Sequence, residues 1–171
     1  KQMGDLYRRL RNTLRYLLGN LSDFEETERV LAADMPELER WVLHRLAELD
    51  AKVQEGYRSY DFQSVFQSVF TFCTVDLSAF YFDIRKDALY CDAPDAKARR
   101  AARTVLDTLF HRLTTWLAPV LVFTMEECWL ERHPEEGASV HLRQFPDIPQ
   151  TWLDNELAAK WQLIRAVRRV V

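Results

Sequence analysis

The chain has 171 residues, of which 48% are hydrophobic and 29% charged, with a formal net charge of −3; that is enough apolar material to close a core and excludes a disordered chain. Four glycines and six prolines are too few for the turns of a sandwich or barrel, and no glycine-rich phosphate loop can be assembled from them, which excludes a P-loop or Rossmann nucleotide site. The longest wholly apolar run covers residues 120–123 and the first ten residues lack a leader pattern, so the expectation is a cytoplasmic protein without a membrane span.

Apolar residues recur at helical spacing almost from end to end, which predicts an all-α, up-and-down bundle of about five to six helices. The first stripe is Met3, Leu6, Leu10, Leu14, Leu17 and Leu21, and Gly19-Asn20 supply its stop. A second helix is expected to open at Asp34-Met35-Pro36-Glu37, with Asp34 as N-cap, and carries Leu38, Val42, Leu46, Leu49 and Val53, with Trp41 on the flank. The third starts near Asp61; its face, from Phe62 through Cys73 to Phe80 and Tyr81, is wide enough to predict a central position. After a break around Cys91-Asp92-Ala93-Pro94, a fourth stripe from Ala98 to Leu117 ends or bends at Pro119. Thr124-Met125-Glu126-Glu127 then reads as a capping box for a short helix through Trp129 and Leu130.

Residues 133–150 hold three prolines and a glycine without periodicity. They are read as the one long irregular connection, with room for a short extended piece in 139–145. The last stripe is Leu153, Leu157, Trp161, Ile164, Val167 and Val171. It is still running at the final residue, and the first residue is Lys1; the expectation is a single helical domain, 1–171, excised from a longer polypeptide.

The net charge alone points away from a nucleic-acid partner, but it conceals segregation. Residues 1–20 carry Lys1, Arg8, Arg9, Arg11 and Arg15 against the single Asp5, and the last helix carries Lys160, Arg165, Arg168 and Arg169. Residues 22–50 hold nine acids and three bases. At about 100° per residue, Arg8, Arg11, Asn12 and Arg15 fall together, opposite the first leucine stripe. They face either solvent or a partner, and they lack acidic i,i+4 neighbours with which to form intrahelical ion pairs. Arg165 and Arg169 repeat the arrangement, where cations near a helix C-terminus also complement the dipole.

Catalytic and metal candidates are poor. His44, His111, His133 and His141 are scattered, and Cys128 with His133 forms a pair without further ligands. Cys73, Cys91 and Cys128 form no C-x-x-C pair, so reduced thiols are expected. Ser64, Ser68 and Ser78 have no visible base, and Asp83 with Asp87 reads as a solvated, ion-paired face rather than a catalytic carboxylate pair. The five tryptophans, at helical spacing beside leucines, are expected in the core or between helices. No apolar stripe remains that the core does not claim.

The segment YRRLRNTLRYLLGNL at 7–21 closely resembles the opening of the anticodon-binding helical domain of the bacterial-type isoleucyl-tRNA synthetase family. FCTVDLSAFYFDIRKD at 72–87, running on to Leu89-Tyr90-Cys91, resembles the same family's central helix. LAPVLVFT at 117–124, with Glu126, Glu127 and Trp129, is similar to a third block shared with valyl and leucyl relatives, and Ser139-Val140-His141-Leu142 with Phe145-Pro146 is similar to the short extended piece after it. Tyr16 and Phe82 depart from the Phe and Leu more usual there, and 22–33 and 93–103 carry no family pattern. The family's ligases activate isoleucine with ATP and attach it to tRNA, but no H-x-G-H-type or K-M-S-K-S-type motif stands in this chain, so it is not expected to catalyse alone. The resemblance implies no cofactor here; ATP with Mg and a zinc site belong to parts of the ligase outside this segment. It implies as partners the anticodon stem-loop of tRNA(Ile) and the neighbouring synthetase domains. Face geometry and charge then make Arg8, Arg9, Arg11 and Arg15 the phosphate candidates and Asn12 a base or sugar contact, with Arg165, Arg168 and Arg169 second. Valyl-type specificity and a helical protein-interaction domain are the alternatives.

Overall fold

The computed structural model describes residues 2–135 and 137–168, with side chains from Gly4 onward. The expected roles of Lys1, Met3, Arg169 and Val171 lie outside the described side chains. Among the described residues there are six helices and no strand: α1 Gln2–Asn20, α2 Glu37–Arg58, α3 Phe62–Cys91, α4 Lys97–Leu117, α5 Val122–Arg132 and α6 Asn155–Arg168. This is the all-α bundle that the periodicity predicted, with its long irregular connection between α5 and α6.

The leucine stripe of α1 is sealed: Leu10, Leu14, Leu17 and Leu21 are at most 3% exposed. They pack on α4 and on the middle of α3. The central helix is α4 rather than α3, a correction to the sequence reading. Every residue from 101 to 110 of α4 is buried, and α4 touches α1, α2, the end of α3, and α5. Three of its threonines help conceal this because they bond within the helix: Thr104 donates to the Arg100 carbonyl at 2.8 Å, Thr114 to that of Phe110 at 2.7 Å, and Thr115 to that of His111 at 2.8 Å. A hydroxyl bonded within its own helix can be buried at little cost.

Helix α3 is not uniform. Between its α-helical ends, Phe62–Thr71 and Phe82–Cys91, the stretch Phe72–Tyr81 winds as a π-helix. The pairs Phe72/Cys73, Asp76/Leu77 and Phe80/Tyr81 recur every four positions, and all six residues are buried. Four α-helical residues advance about 400°, so such a file drifts by about 40° per repeat; wider turns hold it against the core. Ser78 Oγ bonds back five residues to the Cys73 carbonyl at 2.8 Å. Contrary to the reading from apolar runs, α3 is long and apolar enough to cross a membrane by length and composition. Here it is a packed bundle helix.

Local boundaries moved where prolines and loops intervene. Asp34 does not cap α2: it closes a short 3₁₀ turn, Ala32–Asp34, and Met35 before Pro36 is extended, as a residue preceding proline prefers. Thr124 does not open α5, which starts after Leu121. Glu126, inside that expected box, accepts from Ser139 Oγ and the Val140 amide, each at 3.0 Å. The expected extended piece is a 3₁₀ turn, Val140–Leu142. On α6, Leu163, Ile164 and Val167 stand 71%, 41% and 65% exposed, so an apolar row does remain outside the core, against expectation.

Candidate nucleic-acid interface

Because the leucines of α1 are buried, the opposite side must face outward, and Arg8, Arg9, Arg11, Asn12 and Arg15 are all exposed. Among the described residues Arg9, Arg11 and Arg15 have no ion-pair partner, whereas Arg8 meets Asp5 at 3.1 Å. That pair, one turn apart and largely solvated, corrects the reading that the face carries no intrahelical pairing; such exposed pairs contribute about 0.2–1 kcal/mol at most and exchange readily.

Arg8, Arg11, Asn12 and Arg15 line a cleft of about 1100 Å³ between α1 and α5. Tyr7 Oη and Thr124 Oγ1, 3.0 Å apart, link the two helices. Glu127, Cys128 and Glu131 of α5 also line it, and Asp107, His111, Arg132 and His133 contribute from α4 and the end of α5. Arg9 is not part of this lining.

The far end is closed by the linker after α1, which α4 and α5 tie down. Arg132 donates to the Leu21 carbonyl at 3.2 Å and Arg103 to that of Ser22 at 2.7 Å. The ring of Phe24 lies under the guanidinium groups of Arg29, Arg103 and Arg132, 5.5–5.8 Å away. Asp107, nearly enclosed, accepts from Arg29 at 2.7 Å and from Arg132. The acidic linker is thus held by arginines the helices provide. Burial beside Glu127 and Glu131 pushes the Cys128 thiol up, with Arg11 opposing, so it is not an activated nucleophile.

Two of the second-rank arginines stand elsewhere. Arg165 binds Asp76 at 2.6 Å and lies over the rings of Trp41 and Phe80, at 5.0 and 5.1 Å. Arg168 binds Asp83 at 2.6 Å. Both fasten α6 to α3. The sequence reading missed the cleft's other contributors: His111 and His133, 22 residues apart, have ring nitrogens 3.3 Å apart, and no spacing rule signals that meeting. Among the described residues no three His, Cys, Asp or Glu converge as a metal set.

With this geometry in place, comparison with known proteins decides the family. Residues 39–171 match the anticodon-binding domain of tRNA ligases. The chain belongs to that family. The match begins within α2, so α1 and its arginines lie outside it. The chain is 67% identical over 153 residues to the isoleucine–tRNA ligase of Ruegeria pomeroyi, covering 89% of this chain and 16% of that protein. It is 56% identical over 167 residues to that of Brucella abortus, covering 98% of this chain and 17% of that protein, and 56% identical over 171 residues to that of Gluconobacter oxydans, covering 100% and 18%. This anticodon-binding domain therefore spans less than a fifth of the length of the curated relatives it matches.

Proposed function

We propose that this chain holds the anticodon stem-loop of an isoleucine tRNA, as one segment of a cytoplasmic isoleucine–tRNA ligase whose ATP-dependent chemistry lies outside it. The observation that carries the reading is the division of α1: leucines sealed on one side, and Arg11, Asn12 and Arg15 unpaired on the other beside an open cleft. Guanidinium groups on a rigid helix neutralise backbone phosphates and fix the register of the RNA, while bases of an unstacked loop are held by stacking and edge hydrogen bonds. Arg8, Arg11 and Arg15 are assigned to phosphates and Asn12 to a base or sugar. Arg9 is an outer contact. Arg165 and Arg168, already paired to carboxylates, serve by holding α6.

The test is titration of the Arg8→Ala/Arg11→Ala variant with an isoleucine tRNA anticodon stem-loop at several salt concentrations, beside an unrelated stem-loop. Affinity is expected to fall, and the salt slope to drop by about one unit per lost contact, with thermal unfolding unchanged. An unchanged slope removes α1 from the interface. A valyl-type preference would show as tighter binding of a valine tRNA stem-loop in the same titration. The exposed row Leu163, Ile164 and Val167 favours contact of α6 with another protein surface, which we assign to neighbouring domains of the ligase.

A further inference from the structure

At the cleft's inner surface the Nε2 atoms of His111 and His133 are 3.3 Å apart. The protonation of this pair follows from its neighbours. His111 Nδ1 lies 2.9 Å from the Asp107 carbonyl; a carbonyl only accepts, so Nδ1 carries hydrogen and the neutral ring presents a lone pair at Nε2. His133 then donates its Nε2 hydrogen to that lone pair. The one open nitrogen is His133 Nδ1, 3.8 Å from Glu135 Oε1. A first added proton fits there without breaking a bond. A second would have to enter at His111 Nε2, against the hydrogen already between the rings, and would set two imidazolium ions in contact.

The surroundings decide what that proton does. Asp107 is taken by Arg29 and Arg132, Glu26 by Arg29, and Arg8 by Asp5. The unspent charges around the cleft are Arg11 and Arg15 against Asp23, Glu127 and Glu131, with Glu135 beside His133. Such a lining is weakly acidic, so one additional cation brings it toward neutrality and changes what it offers an anion. His133 lies against Trp129, ring centroids 4.5 Å apart and planes tilted by 38°, and keeps 26% of its side chain exposed, while His111 keeps 30%; solvent and ligand can reach both.

We propose that the His111–His133 pair is a further phosphate-binding element of the cleft, neutral in the free protein and taking up a single proton at His133 Nδ1 when a phosphodiester strand enters between α1 and α5. This rests on the reading of the cleft as an RNA site. In the free protein, burial and the neighbouring His111 hold His133 below its ordinary value, which keeps that ring neutral at physiological pH. An entering phosphate favours the charged form, and by reciprocity the charged form favours the phosphate. Binding therefore takes up one proton and weakens as pH rises.

The experiment uses the full-length ligase carrying this segment and an RNA hairpin with the anticodon stem-loop sequence, at fixed ionic strength from about pH 6 to about pH 8, for the wild type, His133→Gln and Arg11→Ala. The wild type is expected to bind about three- to tenfold more weakly at the upper pH, the ceiling for one proton being tenfold per pH unit within its titration window. Calorimetry in two buffers of different ionisation enthalpy is expected to count up to one proton absorbed. His133→Gln is expected to flatten the pH dependence and keep the salt slope; Arg11→Ala is expected to lower the salt slope and keep the pH dependence. Should His133→Gln fail to fold, His133→Asn replaces it. Equal pH dependence in wild type and His133→Gln, or no proton uptake, overturns the proposal while leaving the RNA reading intact. Absence of hairpin binding at every pH overturns both.

Discussion

Glu39 and Arg85 meet across α2 and α3 in a two-pronged ion pair, Nε to Oε1 at 2.5 Å and Nη2 to Oε2 at 2.7 Å, with Glu39 fully enclosed. Tyr81 adds its hydroxyl to Oε1 at 3.1 Å, and burial, reinforced by Glu39, raises the Tyr81 phenol well above its ordinary range. Glu39 sits in the first turn of α2, where the helix dipole also favours a carboxylate. Glu39→Ala is expected to cost about 3–5 kcal/mol, because Arg85 and the Tyr81 hydroxyl lose their buried partner. Urea unfolding of the variant checks this, and the double variant Glu39→Ala/Arg85→Met is expected to recover part of the loss.

The turn between α2 and α3 depends on close approach at Gly56. A Cβ there would lie 2.4 Å from Val65 Cγ2, and Val65 is buried. Gly56→Ala is expected to destabilise by about 1–3 kcal/mol through overpacking, exceeding the roughly 1 kcal/mol that alanine contributes in a helix. In a double-mutant cycle with Val65→Ala, the second substitution is expected to remove the clash and leave a favourable coupling.

Among the cations that fasten α6, Arg165 is the most enclosed, its side chain 18% exposed. Arg165→Ala is expected to raise amide exchange throughout α6 with only a small change in global stability, since Asp76 keeps Arg45 at 3.3 Å. Arg165→Lys is expected to restore little, because an ammonium group lacks the planar fork that lies over Trp41 and Phe80 while bonding Asp76.

Stability of the free protein should fall on mild acidification through His133. Its folded-state value lies below the ordinary 6.5, chiefly from burial and then from His111. The unfolded chain consequently binds more protons between the two values, and stability rises with pH across that interval. Lowering pH from about 7.5 to about 5.5 is expected to reduce the denaturant midpoint, and His133→Gln to reduce that loss. This is the counterpart, in the absence of RNA, of the proton uptake proposed on binding.

The helices were legible in the sequence because a 3.6-residue period is a local property: Leu10, Leu14, Leu17 and Leu21 declare one buried side of α1 wherever the rest of the chain goes, and Arg11 and Arg15 are outward by the same geometry. What the sequence left hidden depends on partners. Glu39 reads as surface acid until Arg85 and Tyr81 are placed over it, and Thr104 reads as solvent-facing until its hydroxyl is seen bonded to its own helix, which lets α4 take the centre. The π-helical stretch of α3 arises from packing a four-residue file against neighbours that the file itself does not name. The cleft is decided later still, since Arg11, Asp107, Cys128 and His133 share a wall only after three helices have packed. Backbone periodicity sets which side of a helix avoids water; which surfaces then meet, and which charges end up beside one another, is fixed by how the sealed sides fit.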